Sequence, residues 1–296
     1  MKVGKAIYEL ARAQGARSVF VVGIGKNVGK TVTMRAIYAA ATESGMCVGL
    51  TSIGRDGEAV DAGDSQPKPR LFLRPGTIVA TARGVLPDSP ASEIFGISRL
   101  YTAAGQLVFA RVAAAAFYEL VGPPTASGIR ETVDTLRANG DVTIVDGAID
   151  RVAALAGGDD AIVVACGASA ANTMQEAVDN VAALVSRLRI APYDPAQPSL
   201  TIEGALTPSR AAALIAGREE RQIVVRDPTQ VALTGKGAVR ALAALRIRCI
   251  RPLRVIAATV ASIGRERTFE PRAFVGAVAE ATGLPAFDVY AGVQAA

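Results

Sequence analysis

The chain has 296 residues, 50% of them hydrophobic and 20% charged, with a formal net charge of +5 and no histidine. That length suits one large domain or two fused ones, and this composition excludes general disorder. The absence of histidine excludes a Ser-His-Asp triad, a Cys-His pair and every His-ligated zinc site. The basic residues are scattered and form no Lys/Arg stripe interleaved with aromatics, so no nucleic-acid partner is expected.

Residues 1–15 read as a polar amphipathic helix without the apolar stretch of a secretion signal. No run approaches the ~18–20 apolar residues that span a bilayer, so a cytoplasmic protein with no membrane partner is expected. Ser18–Val22 is a strand, Thr31–Ser44 a helix stopping at Gly45, and Cys47–Ser52 a second strand. Arg55–Arg74 reads as a long loop, rich in Asp, Gly and Pro, of the kind that is functional or disordered. Gln106–Leu120 and Gly128–Asn139 have helical composition, while Val142–Val145 and Ala161–Ala165 are short apolar strands. Met174–Leu188 is an amphipathic helix, and Ala191–Ser199 (APYDPAQPS) reads as a linker. Strands at Ile223–Val225 and Val255–Ala258 flank a helix at Ala238–Leu245.

Unbroken apolar strands alternating with helices predict an α/β fold, a mostly parallel sheet with helices on both faces. The expected division is a nucleotide-binding core over 1–190, a linker over 191–199 and a C-terminal α/β extension over 200–296. Cys47, Cys166 and Cys249 share no metal-ligand spacing and read as free thiols, buried in a reducing compartment.

The segment SVFVV-GIGKNVGKT-VTMRAIYAAA sets a glycine-rich turn between a strand and a helix. Glycines let backbone N–H groups wrap an anion, and the helix N-terminus adds partial positive charge. Gly23, Gly25, Lys26, Asn27, Val28, Gly29, Lys30, Thr31 and Val32 are therefore the candidate nucleotide cradle of a P-loop NTPase fold. Lys30 would reach the terminal phosphates and Thr31 would hold Mg²⁺, with ATP, or GTP, the expected nucleotide. Five residues separate Gly23 from Gly29, one more than the usual pattern has. This longer loop resembles that of dethiobiotin synthetase and its relatives, in the P-loop group that includes the MinD and nitrogenase-iron-protein ATPases. That resemblance implies a homodimer closing over nucleotide and an early signature lysine; here Gly25 holds that position and Lys26 follows it.

A P-loop needs a carboxylate at a neighbouring strand end to organise Mg²⁺ and water. Asp146 ends the apolar VTIV run and fills that role, although aspartate at a strand end is also a common turn former. Asp150 and Arg151 follow closely, as a local ion pair or a substrate contact. In TSIGRDGE, after the second strand, Asp56 would bind Mg²⁺ or orient water and Arg55 would grip phosphate, with a plain Asp-Gly turn as the alternative. The catalytic set is thus Lys30, Asp56 and Asp146, and the metal set Thr31, Asp56 and Asp146. Glu119 is a further candidate near the nucleotide. Asp227, Pro228, Thr229 and Thr259 follow or end later strands, where they would line the base or form turns.

The blocks GIGKNVGKTVT, GLTSIGRDGE, Pro67–Arg70, VDGAIDR, IVVRDPTQ and the tail PAFDVYAG occur in an order that resembles the small reactivase subunits encoded with lysine 5,6-aminomutase. The resemblance implies two partners, a MutS-related ATPase subunit and an adenosylcobalamin-dependent aminomutase, and ATP-driven release of damaged cobalamin. The run from Ala257, ATVASIGRERTFEP, departs from the Asn-Pro-containing run of that family. Two rival expectations are a small-molecule ligase or kinase like dethiobiotin synthetase, with Lys68 as the nearest substrate lysine, and a nucleotide-binding interaction subunit with little turnover.

Overall fold

A computed structural model of the chain describes residues 3–53, 70–87, 90–147 and 159–295. It divides into two compact units, Met1–Val21 with Lys30–Ala154, and Val22–Gly29 with Leu155–Ala296. This is a different division from the expected break at 191–199. The glycine-rich loop, within Val22–Gly29, falls in the unit that holds the C-terminal third.

In the first unit, helix α1 (Val3–Ala13) precedes β1 (Ser18–Gly23), α2 (Lys30–Glu43) and β2 (Val48–Ser52). Then come β3 (Leu71–Leu73), β4 (Ile78–Ala82), β5 (Ser92–Thr102), β6 (Gly105–Val112), β7 (Ala116–Tyr118), α3 (Ala126–Asn139) and β8 (Val142–Asp146). The strand order β1-β8-β2-β4-β6-β5 is parallel from β1 through β4 and antiparallel beyond. Val19, Phe20 and Val21 of β1 are fully buried, as a strand written as an unbroken apolar run is expected to be. A Cβ on Gly4 would fall 1.9 Å from the Ala36 carbonyl oxygen, so α1 and α2 cross in contact only because residue 4 is glycine.

The helix expected over Gln106–Leu120 is not there; those residues form β6 and β7. Leu107, Val108 and Ala110 are fully buried in β6, which pairs with β4 on one side and β5 on the other. Ala113–Ala115 form the irregular connection between β6 and β7, with Ala113 N–H donating to the Ala91 carbonyl at 2.9 Å. Pairing across the sheet overrides local propensity here. The described end of the Arg55–Arg74 loop also differs, since β3 pairs with β7 in an antiparallel ribbon.

The second unit holds β9 (Asp160–Gly167), α4 (Met174–Leu188), β10 (Ser199–Thr201), α5 (Pro208–Ala216), β11 (Gln222–Val225) and α6 (Gly235–Ala244). It continues with β12 (Ile247–Cys249), β13 (Arg254–Ala261), α7 (Pro271–Thr282), β14 (Ala286–Asp288) and β15 (Gln294–Ala295). Strands β9, β13 and β14 are parallel neighbours and β15 closes that edge antiparallel. Strands β10, β11 and β12 make a separate parallel sheet. The expected linker is part of that layer. Tyr193 N–H donates to the Cys249 carbonyl at 2.9 Å, Cys249 N–H to the Ala191 carbonyl at 3.0 Å, and Ile190 shares a core with Ile223, Leu245 and Ile247.

Candidate phosphate-binding site

Strand β1 delivers the chain into the glycine-rich loop, and α2 begins at Lys30. Ile24 N–H donates to the Ala165 carbonyl at 3.1 Å, pinning the loop's start beside β9. Asn27 and Gly29 take φ of 56° and 88°, the left-handed region that favours glycine and tolerates asparagine. A Cβ on Gly29 would sit 3.1 Å from the Ala261 Cβ and 3.3 Å from a Val289 methyl, so conformation and space both demand glycine. Val28 is buried, and a Cβ on Gly167 would approach its Cα to 3.0 Å. Gly25 is different, since an added Cβ there meets only ordinary contacts. Lys26 and Asn27 are exposed, while Lys30, Thr31 and Val32 are half-buried at the start of α2. The first turn of α2 carries no acidic side chain, which leaves its N-terminal partial charge for an anion.

In the first unit, Asp146 is the last residue of β8, level with Val21 of β1 and with Ser52 of β2. Gly147 N–H donates to the Val21 carbonyl and Ile53 N–H to the Asp146 carbonyl, both at 2.8 Å. Three parallel strand ends therefore lie side by side, with the half-buried Asp146 in the middle. Ser52, not singled out from sequence, ties down the segment that crosses them. Its Oγ donates to the Leu120 carbonyl at 2.8 Å and accepts from Gly122 N–H at 3.2 Å. A Cβ on Gly122 would lie 1.7 Å from the Ser52 carbonyl oxygen, so only glycine passes there. Thr81 fixes the same segment: its Oγ1 donates to the Glu119 carbonyl at 2.9 Å and accepts from Val121 N–H at 2.8 Å, and Glu119 is half-buried.

Asp56, with Arg55, Glu58, Lys68, Asp150 and Arg151, lies outside the described residues. Asp227 is fully buried, and its carboxylate accepts from Thr229 N–H at 3.1 Å, from the Thr229 hydroxyl and from Arg226 Nε at 3.0 Å. Arg251 stands 3.8 Å away, so this aspartate serves its own turn. Thr259 is buried in mid-strand between β9 and β14. Asp288 is a support that sequence reading left among the tail residues. Fully buried, it accepts from Tyr290 N–H and Ala291 N–H at 2.7 Å each and so shapes the turn that carries Val289 to Gly29. The only advance signal was the quoted PAFDVYAG block itself.

The three cysteines are free, with Cys166 and Cys249 buried. Burial pushes the Cys249 thiol up to about 11, helped by the nearby Asp227 charge, and burial raises Cys166 further. Among the described residues no group of three or more His, Cys, Asp or Glu forms a metal cluster, and no helix is long and apolar enough to cross a membrane. No family model, curated protein or solved structure matches the chain.

Proposed function

We propose that the chain is a Mg²⁺-dependent ATP-binding protein of the P-loop kind, with Gly23–Thr31 as its phosphate cradle. The observation that carries the reading is the placement of Asp146. It ends the strand paired with β1, level with Val21, and β1 runs directly into the glycine-rich turn and α2. The glycine-rich turn suits an anion in its backbone conformation, since Asn27 and Gly29 take left-handed φ of 56° and 88° that let successive N–H groups converge. Lys30, at the first residue of α2, supplies positive charge where the helix dipole already favours an anion. Thr31 and Asp146 supply the hard oxygen donors that suit Mg²⁺, which keeps most of its remaining ligands from phosphate and water. Bound nucleotide would supply the free energy of phosphoryl transfer.

The ordered blocks support a finer reading, a reactivase subunit that helps a MutS-related ATPase release damaged cobalamin from an adenosylcobalamin-dependent aminomutase. Nucleotide can drive such a release only by binding two conformations with different affinity. The test is phosphate release by the full chain with and without the MutS-related subunit and an inactivated aminomutase. Mutase-stimulated turnover that is lost in Lys30→Ala is the expected result. Turnover that appears only with a small carboxylate substrate would replace this reading with a ligase, and nucleotide binding without turnover under any condition would leave an interaction subunit.

A further inference from the structure

A groove of about 270 Å³ runs between α2 and the β3–β7 ribbon, within the first unit. The α2 wall is one helical stripe, Arg35, Tyr38, Ala39 and Thr42, at i, i+3, i+4 and i+7. Ala39 and Thr42 are short, which is what leaves room. The opposite wall is Phe72 and Phe117, direct partners in the ribbon, with ring centroids 5.2 Å apart in an edge-to-face arrangement. These rings are 53% and 59% exposed, although Leu71, Leu73 and Tyr118 of the same ribbon are buried. The ribbon therefore has its core face already, and presents a second, aromatic face to the groove.

The polar groups of the floor are already satisfied. The Tyr38 hydroxyl hydrogen-bonds Thr77 Oγ1 and accepts from Arg74 N–H, each at 2.8 Å, and the Thr42 hydroxyl donates to the Tyr38 carbonyl at 2.9 Å. What remains is cationic and at the rim. Arg35 and Arg74 are exposed, and neither pairs with a carboxylate among the described residues. Arg35 donates from one nitrogen to the Arg70 carbonyl and keeps further donors on its fork.

We propose that this groove binds a small, flat, apolar monoanion, an aromatic carboxylate in chemical class, with its ring against Phe72 and Phe117 and its carboxylate on Arg35 and Arg74. An apolar floor without spare donors rejects a fully polar anion, and the rim arginines reject a neutral ring by comparison. The volume lies below the ~300–1,000 Å³ of ordinary ligand pockets, which favours a single ring. The lining begins five residues beyond Lys30 and ends twelve beyond it, about 8–18 Å down the helix at its usual rise. The proposal is thus independent of the phosphate cradle, and either can fail alone.

The test is titration calorimetry of the full chain with phenylacetate, using acetate and 2-phenylethanol as the ring-free and charge-free controls. Saturable phenylacetate binding, about tenfold or more tighter than either control, is expected. Arg74→Gln and Phe117→Ser, both at exposed positions, should each weaken it severalfold. Ala39→Phe, which fills the groove without touching a charge, should abolish it, while all three variants keep the wild-type circular dichroism. Acetate binding as well as phenylacetate, phenylacetate binding unchanged in Ala39→Phe, or no saturable binding by wild type would each overturn the proposal.

Discussion

Strand β8 ends on Asp146, and strand β11 is followed by Arg226 and Asp227. Both carboxylates stand at the C-terminal end of a parallel strand, yet their surroundings differ. Asp227 is fully buried, and its oxygens serve the Thr229 turn and two arginines. Asp146 is half-buried, lies between two strand ends level with it, and is followed by a glycine bonded back to β1. A strand that leads into aspartate is therefore no functional signature in itself. What separates the two is burial and setting: Asp227 is buried within its own turn, whereas Asp146 is half-buried with two parallel strand ends level with it.

The sharpest way to break this contrast is to remove each charge in turn. Asp146→Asn should lower Mg²⁺-dependent turnover by about 100-fold, the order expected for losing one electrostatic catalytic contact, while the urea midpoint stays near wild type. Asp227→Asn should do the reverse. It should destabilise the fold by about 1–3 kcal/mol in urea unfolding, because Thr229 N–H and Arg226 lose a charged acceptor, and leave nucleotide binding intact. Equal destabilisation by both substitutions would erase the distinction.

Smaller effects sharpen the same picture in the second unit. Thr173 caps α4 by accepting from Glu176 N–H at 3.1 Å, so Thr173→Ala should cost about 1 kcal/mol in chemical denaturation without changing nucleotide binding. The smallest effect concerns the buried thiols. Cys249 has its folded value raised to about 11, so its contribution to stability is complete below the ordinary thiol value of about 8.5 and is lost as pH rises towards 11. A modest fall in the urea midpoint across that window is expected, and removed in Cys249→Ala. A midpoint that rose with pH there would contradict the sign.

Buried parallel strands were readable because they are written as unbroken apolar runs, as in Val19–Val22 and Ile162–Ala165. The glycine-rich turn from β1 into α2 was readable because tight backbone turns and helix entry require particular residue types at short spacing. The antiparallel strands β5 to β7 were not, since Gln106–Leu120 has helical composition and the strands β6 and β7 within it are set by pairing with distant residues. Nor was the clamp of Val289 on Gly29, a contact between the two ends of the chain that no local pattern encodes.

The central claim is nucleotide binding at the cradle. Calorimetric titration of Mg-ATP into the wild-type chain and Lys30→Ala tests it most directly. The account predicts one saturable site in the wild type and a loss of affinity of about 10- to 100-fold in the variant, the scale of a charge-assisted contact. Equal affinity in the two proteins, or no binding to the wild type, would contradict it.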